Sequence, residues 1–255
     1  LTDQRSYLQP ANISDATNGD RFVFTSINGT VIDFTETAID STNFRYLDAA
    51  NETDADKIVN FVRGEEITGF RSRTVDYDQD GVDEVWRLGD IMHSSPAVVG
   101  TPNSNYELIY GDPSYAAFRS YYKDRRQVVY VGGNDGMLHA FNSGFWNSAT
   151  QTFETARTGL PTFRLGEEMW AYVPENLLPH LQWLTDPNYP HVYYVDGDPM
   201  VFDARVFSDD TDHPGGWGTI LVIGMRFGGG PFSIDTTGDS INDRVMRSSY
   251  MVFDI

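Results

Sequence analysis

The chain has 255 residues, with 18 Lys and Arg against 37 Asp and Glu for a net charge of −19, and it has no cysteine. That balance argues against a nucleic-acid partner or an anionic lipid surface, both of which are met by clustered Lys and Arg. The lack of cysteine excludes disulfides, thiolate zinc sites, iron–sulfur clusters and cysteine nucleophiles. Aromatic residues make up 14% of the chain, far more than a disordered acidic chain carries, so a folded protein of one large or two small domains is expected.

No apolar run approaches the roughly 18 residues of a membrane span, so no membrane insertion is expected within this chain. Leu1–Gln4 has no signal-peptide character, and any targeting segment is expected to lie outside it.

In chain order, Arg21–Phe24 and Gly29–Phe34 read as strands, being short β-branched and aromatic runs bounded by turn formers. Thr53–Gly64 reads as a capped helix of about three turns, opening on a Thr with an acid three residues later and stopping at a glycine. Further strands are expected at Ser95–Val99, Gln127–Val131, Met137–Phe141 and Met169–Val173. The Asn134-Asp135-Gly136 corner marks a hairpin, because it supplies the positive φ values a tight turn needs. Ser143–Leu165 reads as a long polar surface insertion. Pro174–Leu184 carries Leu177, Leu178, Leu181 and Leu184 at helical spacing, weakened by Pro179. His191–Val195, Met200–Val206, Thr219–Gly224 and Ser249–Ile255 complete the expected strands.

The strands fall into a repeat. Residues 94–172 supply strands ending on Trp170, as one propeller blade does, and residues 193–255 begin a second such unit. A propeller closes with about four to eight blades, so the chain is expected to be a piece of a longer protein. The fold class expected is mainly β: a partial β-propeller over residues 75–255, preceded by a partly helical N-terminal lead-in segment over residues 1–74.

The strongest chemical signal is Asp76-Tyr77-Asp78-Gln79-Asp80-Gly81-Val82-Asp83-Glu84. Asp76, Asp78 and Asp80 at loop positions one, three and five, Gly81 at six, the Val82 carbonyl at seven and Glu84 at nine follow the wrapping order of an EF-hand-like calcium loop. Asp83 is the alternative to Glu84 if the turn shifts by one residue. Many flexible oxygen ligands favour Ca2+ over Mg2+. A weaker echo, and a possible second metal site, joins Asp235, Thr237, Asp239, the Ile241 carbonyl and Asp243. There Thr237 replaces the acid at position three and Ser240 the glycine at six, and a polar loop between two strands explains it equally well.

Other clusters point to structure. Asp90, His93, Ser94 and Ser95 suggest a hydrolase, but alternation on a strand sends His93 and Ser94 to opposite faces, and no glycine-flanked nucleophile elbow is present. His139, His180, His191 and His213 lack metal-ligand spacing and read as ordinary structural or surface residues. Gly228-Gly229-Gly230 is followed by Pro231, which removes an amide a phosphate cradle would use, so a tight crossing between strands is expected. Lys123, Arg125 and Arg126 read as a solvated basic loop. Asn12, Asn28 and Asn51 begin N-glycosylation acceptor patterns, which matter only in a eukaryotic secretor.

Several segments in fixed order resemble the C-terminal propeller domain of the PilC/PilY family of type IV pilus-associated adhesins. They are Arg63–Glu65, Arg71–Arg73, Leu88–Pro96, Val129–Phe141, Trp170–Pro174, Asp186–Tyr189, Tyr193–Gly197 and Gly228–Gly230. The resemblance covers the chain from about Lys57 onward. It implies a modified seven-bladed propeller, with about two blades here, exported to the bacterial surface at the pilus tip or outer membrane. Such a protein would promote adhesion to a host or abiotic surface receptor. It would also act with minor pilins or other tip components in pilus assembly, extension and retraction, and so in twitching motility. An acidic Asp-x-Asp-x-Asp-Gly calcium loop belongs to that family pattern. No enzyme activity is implied. Two rival readings are a quinone-dependent dehydrogenase, whose blades share the Asn-Asp-Gly…Ala-Phe…Trp pattern, and a purely structural calcium-stabilised pilus module.

Overall fold

The computed structural model describes residues 21–255. The Asn12 acceptor pattern and the first part of the lead-in segment lie outside the described residues. In chain order the strands are β1 (Val23–Ile27), β2 (Thr30–Asp33), β3 (Thr74–Val75), β4 (Glu84–Val85), β5 (Ala97–Val99), β6 (Gln127–Gly132) and β7 (Leu138–Asn147). They continue with β8 (Thr152–Glu154), β9 (Glu168–Tyr172), β10 (Met200–Arg205), β11 (Trp217–Gly224), β12 (Phe232–Ile234), β13 (Arg244–Met246) and β14 (Tyr250–Asp254). The helices are α1 (Glu52–Arg63), α2 (Tyr106–Ile109) and α3 (Pro113–Tyr121).

The first large sheet runs β2-β1-β9-β7-β6-β5, with β8 on the far end of β7. Its β5-β6-β7-β9 portion is antiparallel throughout, and β1 adds to β9 in parallel. The second sheet, β10-β11-β14, is antiparallel with Met200, Val222 and Val252 in one row. The protein is thus mainly β. Phe253 of the second sheet packs against Trp170 at 6.2 Å and Tyr172 at 5.2 Å between ring centroids, joining the two sheets.

Local chemistry explains where elements begin and end. Asn51, in extended backbone, accepts the Asp54 amide at 3.0 Å, so the α1 cap is Asn51 and the helix starts earlier than Thr53. At its other end Gly64 has φ of 124° and returns its amide to the Asn60 and Phe61 carbonyls. The apolar segment expected after Pro174 is a 3-10 helix, Glu175–Thr185, because Pro179 inside it lacks the amide an α-helix would use. Its four leucines are buried, and they meet Ile58, Phe61, Leu138, Val173 and Leu221 in one core between α1 and the two sheets.

Four expectations require correction. Residues 191–195 form no strand: the Tyr194 amide donates to Asn134 Oδ1 at 3.0 Å, and the Tyr194 hydroxyl donates to the His180 carbonyl at 3.0 Å. The segment clasps the β6–β7 turn and so has no ladder to join. Strand β7 runs on to Asn147 and hairpins with β8, taking up the front of the expected loop after Ser143. Residues 106–121, for which no helix was expected, form α2 and α3, the latter opened by Asp112 accepting the Ser114 amide at 2.9 Å and by Pro113. Finally, Arg125 and Arg126 are anchored: Arg125 donates to Thr219 Oγ1 at 2.9 Å and Arg126 to Asn142 Oδ1 at 2.8 Å, with Arg126 lying 4.4 Å over the Phe145 ring. The triple glycine is a close crossing as expected, but of two non-strand segments: a Cβ on Gly228 would collide with the Tyr194 carbonyl.

A buried charge network ties the lead-in segment to the first sheet. Arg21 donates to both Glu168 oxygens at 2.6 and 2.9 Å and to the Arg63 carbonyl at 2.8 Å. His139 places Nδ1 2.8 Å from Glu168 and Nε2 3.1 Å from Asp135, and Asp135 accepts the Gly89 amide at 2.8 Å. Arg21, His139 and Glu168 are fully buried. Both ring nitrogens of His139 face carboxylates, which only accept, so the ring carries both protons. Burial alone would lower its pKa; Asp135 and Glu168 outweigh burial and push it up to about 9. Burial likewise favours the neutral Glu168 acid, but Arg21 and His139 hold it well below the usual range.

Removing the central carboxylate by Glu168→Gln leaves Arg21 and His139 buried against a neutral group and is expected to cost about 3–5 kcal/mol. His139 ionises more readily in the folded state, so its contribution is complete below the unfolded value of about 6.5. It fades as pH rises through about 9. The Glu168 contribution is instead lost in acid. Urea midpoints of wild type and Glu168→Gln between pH 6 and 10 check the cost and its alkaline fade: the wild-type advantage should shrink towards pH 10.

Candidate metal centre

Two short hairpins each carry an acidic loop. In the first, β3 and β4 pair Thr74 with Val85 and Val75 with Glu84, and the Trp86 amide extends the pairing to the Arg73 carbonyl at 2.9 Å. Tyr77 sets its ring edge-on to Trp86 at 5.5 Å. The chain turns back through two left-handed residues, Gln79 with φ of 62° and Gly81 with φ of 90°. No atom lies within 4 Å of a Cβ placed on Gly81, so backbone conformation is what requires glycine there.

This turn gathers Asp76, Asp78 and Asp80, each offering a carboxylate oxygen within 4.8 Å of the others. Asp76 is half-buried and the other two are exposed. Asp76 accepts the Asp80 amide at 3.1 Å and the Gly81 amide at 3.0 Å, while Asp80 accepts the Val82 amide at 2.8 Å. These bonds hold three like charges together, and a cation would relieve their repulsion. The donor set is all hard oxygen, which suits Ca2+. Glu84, on β4, and Asp83, just before it, both lie outside this three-carboxylate group, and Val82 follows the bend.

The second hairpin, β12–β13, pairs Phe232 with Met246 and Ile234 with Arg244, and its loop spans residues 235–243. Here the carboxylates are spent on the loop itself. Asp235 accepts the amides of Thr237 at 3.0 Å, Gly238 at 2.7 Å and Ser240 at 2.7 Å, and Asp239 accepts that of Ile241 at 2.9 Å. Asp243 turns to Thr236, whose amide and hydroxyl hold its carboxyl below the usual range. Arg45 lies against Gly238, where a Cβ would fall 2.7 Å from the guanidinium carbon. Among the described residues Asp235, Asp239 and Asp243 form no three-carboxylate group.

The hydrolase-like cluster is dispersed. His93 Nδ1 bonds Asp196 at 2.8 Å, whereas Ser94 Oγ accepts the Gly132 amide at 2.8 Å and the Ser95 amide goes to Asp198 at 2.6 Å. The buried His139 network went unrecognised in the sequence reading, which treated His139 as ordinary; its one local signal is the four-residue spacing from Asp135.

Two large sheets, the first antiparallel except where β1 joins β9 and the second antiparallel throughout, with two short hairpins beside them, make a mainly β protein, and comparison identifies its family. The model of the PilY1 beta-propeller domain matches residues 88–247. The chain belongs to the PilY1 beta-propeller domain family. It is 37% identical over 157 residues to a type IV pilus biogenesis factor PilY1 homolog of Xylella fastidiosa, covering 60% of this chain and 11% of the relative. It is 34% identical over 189 residues to the type IV pilus biogenesis factor PilY1 of a Pseudomonas aeruginosa strain, covering 70% of this chain and 13% of the relative. The match thus spans a small part of each relative. No solved structure matches. The Asp76 hairpin precedes the segment matched by the family model, and the Asp235 hairpin lies inside it.

Because Asp76 holds the Asp80 and Gly81 amides, Asp76→Ala should release the turn. Amide exchange at residues 80 and 81 should rise by roughly tenfold or more, the loss of one charge-assisted hydrogen bond being worth about 1.5–3 kcal/mol. Exchange in β6 and β7 should not change.

Proposed function

We propose that this chain is a calcium-binding portion of a type IV pilus tip-associated protein. It acts in adhesion of the bacterial surface and in pilus assembly, extension and retraction. The protein stands outside the cell, at the pilus tip or outer membrane, with minor pilins or other tip components on one side and a host or abiotic receptor on the other. It is not an enzyme in this reading. The observation that carries the calcium assignment is the gathering of Asp76, Asp78 and Asp80 at one hairpin tip; the pilus assignment rests on relatives that are named pilus biogenesis factors. Val82 and Glu84 would complete the ligand set, Glu84 by a small closing of the loop. Among the described residues no helix is long and apolar enough to cross a membrane.

The two large sheets are read as successive blades of a ring. Supporting this, each advances strand by strand along the chain, β5-β6-β7-β9 and then β10-β11-β14. The outer face of the second carries Met200 at 66% and Val252 at 66% exposure, apolar surface suited to a further sheet. The 255-residue chain by itself should therefore self-associate in light scattering; a monodisperse monomer would count against the ring.

Extracellular calcium modules bind at roughly 0.1–1 mM. Calcium at about a hundred times the dissociation constant should stabilise the protein by roughly 2.7 kcal/mol. Asp80→Ala should abolish calcium heat in calorimetry while leaving the two sheets folded. Equal affinity in the two proteins would refute the site. Surface piliation and twitching of cells carrying Asp80→Ala then test its role: lost binding with unchanged motility would reduce the ion to a structural staple.

A further inference from the structure

Beside the acidic hairpin, and independent of it, lies a basic cavity of about 570 Å3. It opens between α1, the β3–β4 stem and residues 88–90, and its lining includes Arg71, Arg73, Arg87, Trp86, Asp90 and Tyr189. Arg73 is fully engaged, bonded to Glu66 at 2.9 Å and to the carbonyls of Phe61 at 2.8 Å and Glu65 at 2.7 Å. Arg87 donates to the Gly64 carbonyl at 2.9 Å. Burial lowers Arg73 to about 10; Glu66 opposes this, and the charges of Arg71 and Arg87 lower it further, so the three guanidinium groups share one field.

Arg71 differs from its neighbours. Its guanidinium lies 4.3 Å over the Tyr189 ring, and its backbone amide is fixed to the Thr185 carbonyl at 2.9 Å. The Nε atom is buried without a hydrogen-bond partner, and no carboxylate among the described residues pairs with the group. In a chain of net charge −19 a guanidinium oriented in a cavity without a carboxylate partner is suited to meet an anion. The same cavity supplies an acceptor: Asp90 Oδ2 takes His191 at 2.9 Å and Asn134 at 3.0 Å, leaving Oδ1 unengaged. Trp86, 47% exposed, offers an aromatic face on the same cavity.

We propose that this cavity binds a uronic-acid unit of an acidic polysaccharide, with its carboxylate on Arg71 and its hydroxyls on Asp90. A uronate combines one carboxylate, several hydroxyl donors and an apolar ring face, which matches a guanidinium, a free carboxylate oxygen and an indole in turn. An acidic peptide fits less well, because it has no sugar ring face to lay on Trp86 and its backbone amides offer Asp90 single donors in place of adjacent hydroxyls. A doubly charged phosphate meets stronger repulsion from Asp90 and Asp135, both of which line the cavity.

The test is calorimetry on the intact protein with trigalacturonate, its fully methyl-esterified form and triglutamate. Trigalacturonate should bind and weaken with salt; the ester should bind roughly tenfold or more weaker for loss of the charge-assisted bond to Arg71, and triglutamate weaker for want of the ring face and hydroxyls. Arg71→Gln should weaken trigalacturonate by a similar factor with unchanged near-UV circular dichroism. Should that variant fail to fold, Trp86→Leu carries the test, with several-fold weakening expected. The proposal is overturned by absence of trigalacturonate binding, by equal binding of the ester, or by unchanged affinity in the folded variant. Triglutamate binding as tight as trigalacturonate would reassign the cavity to acidic peptides and likewise overturn it.

Discussion

The ion cluster of Arg21, Glu168, His139 and Asp135 is the constraint on which the remaining structure depends. Two positive and two negative groups are removed from water together, and each is met by hydrogen bonds at 2.6–3.1 Å. Such a cluster is poor evidence of net stability, because desolvation offsets most of the Coulombic gain, but breaking it is costly. Its effect is therefore on geometry. Arg21 reaches the Arg63 carbonyl at the end of α1, and Arg63 in turn donates to the Arg21 and Phe34 carbonyls at 3.0 and 3.1 Å. The lead-in strands and α1 can seat on the first sheet in only the arrangement that pairs all four charges.

From that anchor the chain leading to the acidic hairpin is placed in steps. Asp135 fixes the Gly89 amide, and the Asn134 amide fixes the Asp90 carbonyl at 3.0 Å. Residues 88–90 are thereby held on the β6–β7 turn, while Arg73 is held by Glu66 and by the Phe61 carbonyl of α1. The β3–β4 stem lies between these two fixed points, so its loop projects from a rigid base although the loop itself is exposed.

The two hairpin loops show how similar local sequences reach different electrostatic ends. In the first, three alternate Asp residues accept the amides of residues 80–82 and their carboxylates converge. In the second, Asp235 alone satisfies three amides, Asp243 is turned aside by Thr236, and Arg45 adds a positive charge against Gly238. Thr237 stands at the third position where the first loop has Asp78, so a hydroxyl that donates to Asp235 at 3.1 Å replaces a third neighbouring carboxylate.

Composition, β-branched runs and turn chemistry determined the mainly β class, the β6–β7 hairpin at Asn134–Gly136, the strands of the second sheet and the extent of α1, because these depend on neighbours within a few residues. The convergence of Asp76, Asp78 and Asp80 was legible for the same reason: the spacing of the three carboxylates is written in consecutive residues. What lay beyond reach was set by contacts distant in sequence. Residues 191–195 have the composition of a strand, but Asn134 and His180 engage Tyr194 before any ladder can form. Arg125 and Arg126 look like a solvated cluster until Thr219 and Asn142 meet them from other strands. The Arg21–Glu168 pair is separated by 147 residues, and the Arg71 cavity needs walls from α1, a hairpin and the residue 184–189 turn. Tertiary structure decided these features because the strength of a charge or hydrogen bond depends on how far packing removes it from water, and no short stretch of sequence carries that information.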